Sequence, residues 1–145
     1  MPGLLINMSS ILLVQITIPF VLALFHFVGP VPSDLGADGG NLSPCPGPEH
    51  CASNLWQVAD SSSALKQLAE VIETTPRTEI VDQSSDYLHA TYSSRIFGFV
   101  DDVELHARDE VTLEARSISR LGESDLGVNA LRLESLAKTI ETLDT

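Results

Sequence analysis

A long uncharged segment at the start of the chain constrains its possible folds more than any other feature. The residues from Ile11 to Val28 carry no formal charge, and the uncharged stretch extends back to Met1. A helix over the 18 residues from Ile11 to Val28, at about 1.5 Å per residue, covers about 27 Å, which is close to the thickness of the hydrocarbon core of a bilayer. We therefore predict an N-terminal transmembrane helix, with an anchor over residues 1–28 and its apolar part beginning near Leu4.

A cleaved signal peptide is the main alternative for this segment. Such a peptide has a basic n-region, a shorter apolar stretch and a cleavage site of small residues. The first basic residue of this chain is Lys66, and Asp34–Ala37 makes a poor cleavage site. These features favour an anchor that is retained.

Polar side chains interrupt the apolar segment. Gln15 and Thr17 can return hydrogen bonds to the helix backbone, and Pro19 is compatible with a kink. Alternatively, the polar side chains face a neighbouring helix, because polar groups in hydrocarbon are stabilised by partners. The second reading predicts a membrane protein complex as partner and applies to Asn7, Ser9, Ser10, Gln15 and His26.

Every charged residue lies at or beyond Asp34, so the net charge of -12 belongs to the part that follows the apolar segment. Such a surface repels nucleic acid phosphates and anionic lipid heads. We therefore expect the lipid bilayer and a membrane complex as partners, and no nucleic acid. Residues 29–44 are rich in Pro, Gly and Asp and predict an extended linker, whereas residues 45–145 have room for one folded domain.

Cys45 and Cys51 are the only two cysteines, and three prolines lie in the loop around them. A disulfide that closes so short a loop contributes about 2 kcal/mol in the chain-entropy model. Free thiols, a metal site that includes His50 and a redox pair are alternatives, although the metal site lacks a fourth ligand and redox pairs are more often spaced Cys-x-x-Cys. We expect a disulfide, and with it a periplasmic or lumenal domain, because disulfides persist outside the reducing cytosol.

The residues beyond the linker predict an α+β domain. Asp60 or Ser61 can cap a helix with a 3.6-residue apolar period, and Pro76 follows its end. A final helix begins at Ser124 or Asp125. Between the helices, four segments show the alternation of strands, namely Thr78–Val81, Tyr87–Ser93, Phe97–Ala107 and Val111–Ser119. The predicted order is α-β-β-β-β-α, an antiparallel four-stranded sheet with both helices on one face and the other face open.

The odd-numbered positions of the last two predicted strands form the core face of this sheet. A three-residue turn at residues 108–110 pairs Leu105 with Leu113. Asp102 then faces Arg116.

The same alternation points Asp101 inward, opposite Ser117. A buried carboxylate needs partners, for which Arg95, Ser119 and Arg120 are the candidates. Asp101 and Asp102 are adjacent and point to opposite faces of a regular strand, which argues against a joint metal site. We therefore expect no metal and no cofactor.

Three runs of the sequence resemble a known family. They are Asp86-Tyr-Leu-His-Ala, Ser94-Arg-Ile-Phe-Gly-Phe-Val-Asp-Asp-Val-Glu and Arg116-Ser-Ile-Ser-Arg-Leu-Gly-Glu-Ser-Asp-Leu-Gly-Val-Asn, and the Cys-Pro that leads to a second Cys looks like the opening motif of that family. The family is the domain of unknown function numbered 1499, and the similarity covers about Leu42 to Thr139. It implies an exported or membrane-anchored bacterial protein and names no activity.

The chain departs from the family pattern at Ala130, where the family usually has a basic residue after Asn129, although Arg132 remains. A site built on that basic residue is therefore in doubt here. The run that starts at Phe25, Phe-His-Phe-Val-Gly-Pro-Val-Pro-x-Asp-Leu-Gly, is similar to cyanobacterial members, which implies a thylakoid or plasma membrane and a photosynthetic complex.

Two functions fit these features. The first is a non-catalytic, membrane-anchored accessory or assembly subunit, whose domain lies on the periplasmic or thylakoid-lumenal side of a membrane complex. The second is a domain that binds a small polar or anionic ligand, or less readily hydrolyses one, through mixed charge beside a helix start. Its candidate site residues are Asp101, Asp102, Glu104, Arg116, Arg120, Ser124, Asp125 and Asn129.

Catalysis is the weaker form of the second hypothesis. No residue is recognisable as an activated nucleophile, and no glycine loop that would cradle phosphate is present. His89 and His106 lack orienting partners that the sequence alone can identify. We therefore name no catalytic residue.

Overall fold

The computed structural model describes residues 28–143. Within this range neither helix combines the length and the apolar character needed to cross a membrane. The fold prediction is corrected on this point, because the predicted transmembrane helix is not among the elements found. Of residues 1–28, where this helix is predicted, residues 1–27 lie outside the described range.

The described chain forms one antiparallel sheet with two helices on one face. The sheet has five strands in the order β1-β5-β4-β3-β2. Along the chain the elements are β1 (Cys51–Gln57), α1 (Ser61–Thr74), β2 (Thr78–Gln83), β3 (Tyr87–Ser93), β4 (Val100–Asp109), β5 (Thr112–Ser119) and α2 (Val128–Leu143), preceded by a short 3-10 turn at Asp38–Gly40.

The prediction of a four-stranded sheet is wrong, because Cys51–Gln57 forms a further strand, β1. This strand pairs with β5, from Cys51 opposite Ile118 to Gln57 opposite Thr112. Its sequence, Cys-Ala-Ser-Asn-Leu-Trp-Gln, has no β-branched residue and no clear alternation, so local propensity does not reveal it. The pairing with β5, a distant part of the chain, determines its conformation.

The first helix follows the sequence pattern closely. The Asp60 side chain caps α1 by accepting a hydrogen bond from the Ser63 amide at 2.6 Å. Leu65, Leu68 and Ile72 are buried on one face with the expected period. They pack with α2 against the apolar side chains of the sheet to form the core.

The turn between β4 and β5 is tighter than predicted, which changes the pairing by two residues. Leu105 lies opposite Ala115, and Glu104, rather than Asp102, lies opposite Arg116. The register also shifts by one residue between Ala107 and Asp109, as in a β-bulge. Because the tight turn and the bulge compensate, the odd-numbered rows still share the core face.

The face of the sheet away from the helices is polar and partly covered. Residues 29–44, predicted as an extended linker, lie against this face, and we call them the strap. The Gly36 and Leu42 amides donate hydrogen bonds to Glu104 and Glu114. The predicted open face is therefore occupied along the strap.

Candidate functional site

The centre of the polar face is an ion pair between two fully buried side chains, Arg116 on β5 and Glu104 on β4. Arg116 donates from one terminal nitrogen to Glu104 Oε2 at 2.9 Å and from the other to Asp34 Oδ2 of the strap at 2.7 Å. The side chains of Arg116 and Glu104 are 1% and 0% exposed. Buried charges of this kind are tolerated only when they are paired and hydrogen-bonded.

The second oxygen of Glu104 is also fully used. Its Oε1 accepts from the Tyr87 hydroxyl at 2.8 Å and from the Gly36 amide at 2.7 Å. Burial, followed by the hydrogen bond to Glu104, raises the pKa of Tyr87 far above its ordinary value. Tyr87 is therefore a fixed neutral donor and not an acid that could exchange protons near neutral pH.

A second ion pair lies beside the first, two residues along β4. Arg120 holds Asp102 with two hydrogen bonds of 2.7 and 2.8 Å, and His89 Nε2 lies 2.7 Å from Asp102 Oδ1. Burial alone would raise the pKa of Asp102, but the bonds from Arg120 and His89 outweigh burial and lower it. Asp102 is therefore a carboxylate at neutral pH and stabilises its two partners.

A third contact ties the strap to the edge of this network. Glu114 Oε2 accepts from the Leu42 amide at 3.0 Å and lies 3.3 Å from His106 Nδ1. Both His106 and Glu114 are largely buried. Main-chain amides of the strap thus donate hydrogen bonds to largely buried carboxylates of the sheet.

A separate polar cluster lies on the helix face, at the start of α2. Asp101 accepts from Arg132 at 2.7 Å, and the Arg132 guanidinium also stacks over the Tyr92 ring at 4.6 Å. Asn129 is fully buried and donates to Ser119 Oγ at 2.9 Å and to Asp125 Oδ2 at 2.7 Å. Together these bonds fix the first turn of α2 against the ends of β4 and β5.

Asp125 acts as the cap of that turn. It accepts hydrogen bonds from the Gly127 and Asn129 amides. Burial would raise the pKa of Asp125, but these bonds lower it.

The candidate site residues therefore do not converge on one pocket. Asp102, Glu104, Arg116 and Arg120 lie on the polar face, whereas Asp101, Asp125 and Asn129 lie on the helix face. Ser124 is exposed and accepts a weak hydrogen bond from the Leu126 amide at 3.3 Å. The sheet separates the two groups.

Sequence reasoning missed several members of the network. The alternation along β3 puts Tyr87 and His89 on one face, so an assigned β3–β4 register would have found them. Arg132, which the sequence does not connect with any carboxylate, is the partner of Asp101. Asp34 had no local signal, because it contacts Arg116 across most of the chain.

The carboxylates of the network are paired with arginines. Asp34, Asp101, Asp102 and Glu104 each bond an arginine, and within the described residues only the Arg116 Nε is a buried side-chain nitrogen or oxygen without a partner. Residues 28–143 contain no group of His, Cys, Asp and Glu placed to hold a metal ion.

The predicted disulfide is confirmed. Cys45 and Cys51 are bonded, with their Cα atoms 5.5 Å apart. The bond joins the residue that follows the strap to the first residue of β1, so the strap is anchored covalently at this end as well as by hydrogen bonds.

One end of the sheet carries exposed apolar side chains, and we call this surface the apolar end. It is formed by Ile96, Phe97 and Phe99 before β4 and by Leu121, Leu126 and Val128 after β5. The rings of Phe97 and Phe99 lie 5.6 Å apart, and a mainly apolar groove of about 300 Å³ runs between Phe99, Leu121 and Leu126. Gly29 packs so closely against Leu121 and Arg120 that a Cβ there would lie 2.7 Å from Leu121 Cγ.

The fold and its polar network define a small α+β domain with a strapped sheet. The family model described as "Protein of unknown function (DUF1499)" matches residues 41–140, and the chain belongs to that family. No curated protein matches the chain.

Proposed function

We propose that this protein is a non-catalytic accessory or assembly subunit that docks on a membrane protein complex through its apolar end. The observation on which the proposal rests is that apolar surface, where Ile96 and Leu126 are 77% and 90% exposed. Exposed apolar patches of this kind are typical of protein interaction sites. The buried ion pairs support the non-catalytic part, because each arginine–carboxylate pair is fixed by the fold.

The course of the chain supports a membrane setting for this partner. The strap begins beside Leu121, and the uncharged run of residues 1–28 precedes it in the sequence. The strap therefore starts at the apolar end. The net charge of -12 disfavours docking on anionic lipid heads, which favours a protein surface over the bilayer itself.

The compartment that we propose is the periplasm or the thylakoid lumen. The disulfide between Cys45 and Cys51 supports an oxidising compartment. The thylakoid is the finer version of this proposal and rests on the resemblance of the run that starts at Phe25 to cyanobacterial members of the family.

We do not favour the alternative function, binding of a small polar or anionic ligand. An anion would compete with Asp102 for Arg120 and with Glu104 for Arg116, and both carboxylates are fully buried. Displacing either one leaves an uncompensated buried charge.

The test is gentle detergent extraction of native membranes, followed by native electrophoresis. We expect the wild-type protein to migrate with a large complex and the Ile96→Asp/Leu126→Asp variant to migrate as free protein. Val81→Asp is the matched control, because Val81 is 55% exposed on β2, away from the apolar end. It should leave the complex intact.

A wild-type protein that migrates alone would contradict the proposal, as would a complex that survives both aspartates. Flotation of the purified chain with neutral phosphatidylcholine vesicles separates the two apolar partners. Binding to these vesicles that the same aspartates abolish would assign the apolar end to lipid and overturn the protein partner.

A further inference from the structure

The outer edge of β1 carries unpaired main-chain groups. The strand lies at one end of the sheet order, and no strand within residues 28–143 pairs with its outer side. The Ser119 amide donates to His50 O and the Val58 amide donates to Val111 O, which sets the alternation of the ladder. The main-chain groups of Ser53 and Leu55 therefore point away from β5, towards the free edge.

The two edges of the sheet differ in how they are protected. On β2, the acidic residues Glu79 and Asp82 and an irregular register between Ile80 and Asp82 discourage pairing with another strand. On β1, the run Cys51–Gln57 has no charged residue and no proline, and its pairing with β5 has no register shift. Natural proteins normally protect free edges, so an unprotected edge indicates a surface that is covered by a partner.

Grooves run along β1 on both sides of the strand. On the polar face, a groove of about 460 Å³ lies between the strap and the strand, lined by Ser43, Leu55 and Glu114. Beside α2, a groove of about 510 Å³ reaches Ala130 and one of about 240 Å³ reaches Trp56. An added strand places its side chains alternately on the two faces, so these grooves give both sets room.

Charge distinguishes between possible occupants of this edge. Ala130, Ala137 and Glu141 of α2 line the grooves beside that helix, and Glu114 lines the groove beside the strap. A second copy would bring two chains of net charge -12 together. A neutral or basic segment meets no such repulsion.

We propose that the free edge of β1 binds an extended, neutral-to-basic segment of a partner protein by strand addition. Main-chain hydrogen bonds to Ser53 and Leu55 hold the segment, and the grooves select its side chains. This surface shares no residue with the apolar end. The proposal therefore stands or falls independently of docking there.

The experiment uses the full-length chain with a short peptide of alternating valine and threonine flanked by lysines. We expect the basic peptide to slow exchange of the Ser53 and Leu55 amides by about tenfold or more. It should also shift the emission of Trp56, the only tryptophan, to shorter wavelength. The same peptide flanked by glutamates is the matched probe and should do neither.

Two variants at one position test the mode of binding. Ser53→Pro removes an outward N–H and leaves the inward bonds to β5, a substitution that edge strands tolerate. It should abolish the protection of Leu55, whereas Ser53→Ala should retain it. Circular dichroism of both variants checks that the sheet is formed.

Several results would overturn the proposal. One is a basic peptide that protects neither amide, and another is protection that Ser53→Pro leaves unchanged. Equal effects of both peptides would remove the charge argument. If the Ser53 and Leu55 amides are already protected without peptide, concentration dependence would assign the edge to a second copy. Independence of concentration would assign it to residues 1–27.

Discussion

Asp102 and Glu104 are two fully buried carboxylates on the same face of β4, each held by its own arginine. An ionised carboxylate buried without a partner costs several kcal/mol, so neither could stay charged alone. The consequence at the residue scale is asymmetric. The ion pairs add little net stability compared with an apolar replacement of both partners. Removal of one partner, in contrast, lowers the stability of the fold strongly, because the other charge stays buried without compensation.

Arg116→Met tests this asymmetry. The variant leaves Glu104 buried without its cation, so we expect the free energy of unfolding to fall by about 3–5 kcal/mol in urea denaturation. Arg108→Met is the control, because Arg108 is exposed and its loss should change stability by less than about 0.5 kcal/mol. Similar losses of unfolding free energy in the two variants would mean that burial does not increase the contribution of the Arg116–Glu104 pair to stability.

The pH dependence of stability is a second prediction at this scale. Because its partners lower the pKa of Asp102 in the folded chain, its contribution is complete above the pKa of an unfolded aspartate, about 3.9. That contribution is lost as the pH falls through the lower, folded pKa. Asp102→Asn should be less stable at neutral pH, and its unfolding free energy should fall less than that of the wild type as the pH drops below about 4. Parallel curves of unfolding free energy against pH for the two proteins would contradict this.

At the scale of elements, local patterns were sufficient wherever local physics determines the structure. The capped α1 and the apolar rows of β4 and β5 follow from Asp60 and from strict alternation. The strand β1 does not, because its conformation depends on pairing with β5. The contact between Asp34 and Arg116 cannot be predicted from the local sequence either, because a Pro- and Gly-rich segment such as residues 29–44 is normally solvent-exposed.

The disulfide and the strap act together, which gives a prediction for these elements. Cys45→Ser/Cys51→Ser should lower the unfolding free energy by about 2 kcal/mol, the loop-closure contribution. It should also speed amide exchange at Gly36 and Leu42, whose hydrogen bonds hold the strap on Glu104 and Glu114. The Leu68 amide in α1 is the internal control. If Gly36 and Leu68 accelerate equally, the strap is not a separate unit.

In the described part of the molecule, the interactions that stabilise the fold lie apart from the exposed surfaces. The apolar core lies between the sheet and the helices, and the charged network lies between the sheet and the strap. Strand alternation already places Asp101 and Asp102 on opposite faces, but it does not identify their partners. Arg132 becomes known as the partner of Asp101 only when α2 is placed, and the pairing of Arg120 with Asp102 depends on the course of the chain after β5.

This separation predicts opposite effects for two kinds of variant. Ile96→Asp/Leu126→Asp should keep the melting temperature of the wild type, since both side chains are exposed, and should lose the complex on native electrophoresis. Arg120→Met removes the partner of buried Asp102, so it should melt at a clearly lower temperature. Extracted while still folded, it should keep the complex. If Arg120→Met instead loses the complex while folded, the network itself takes part in binding, and the ligand-binding hypothesis regains support over docking through the apolar end.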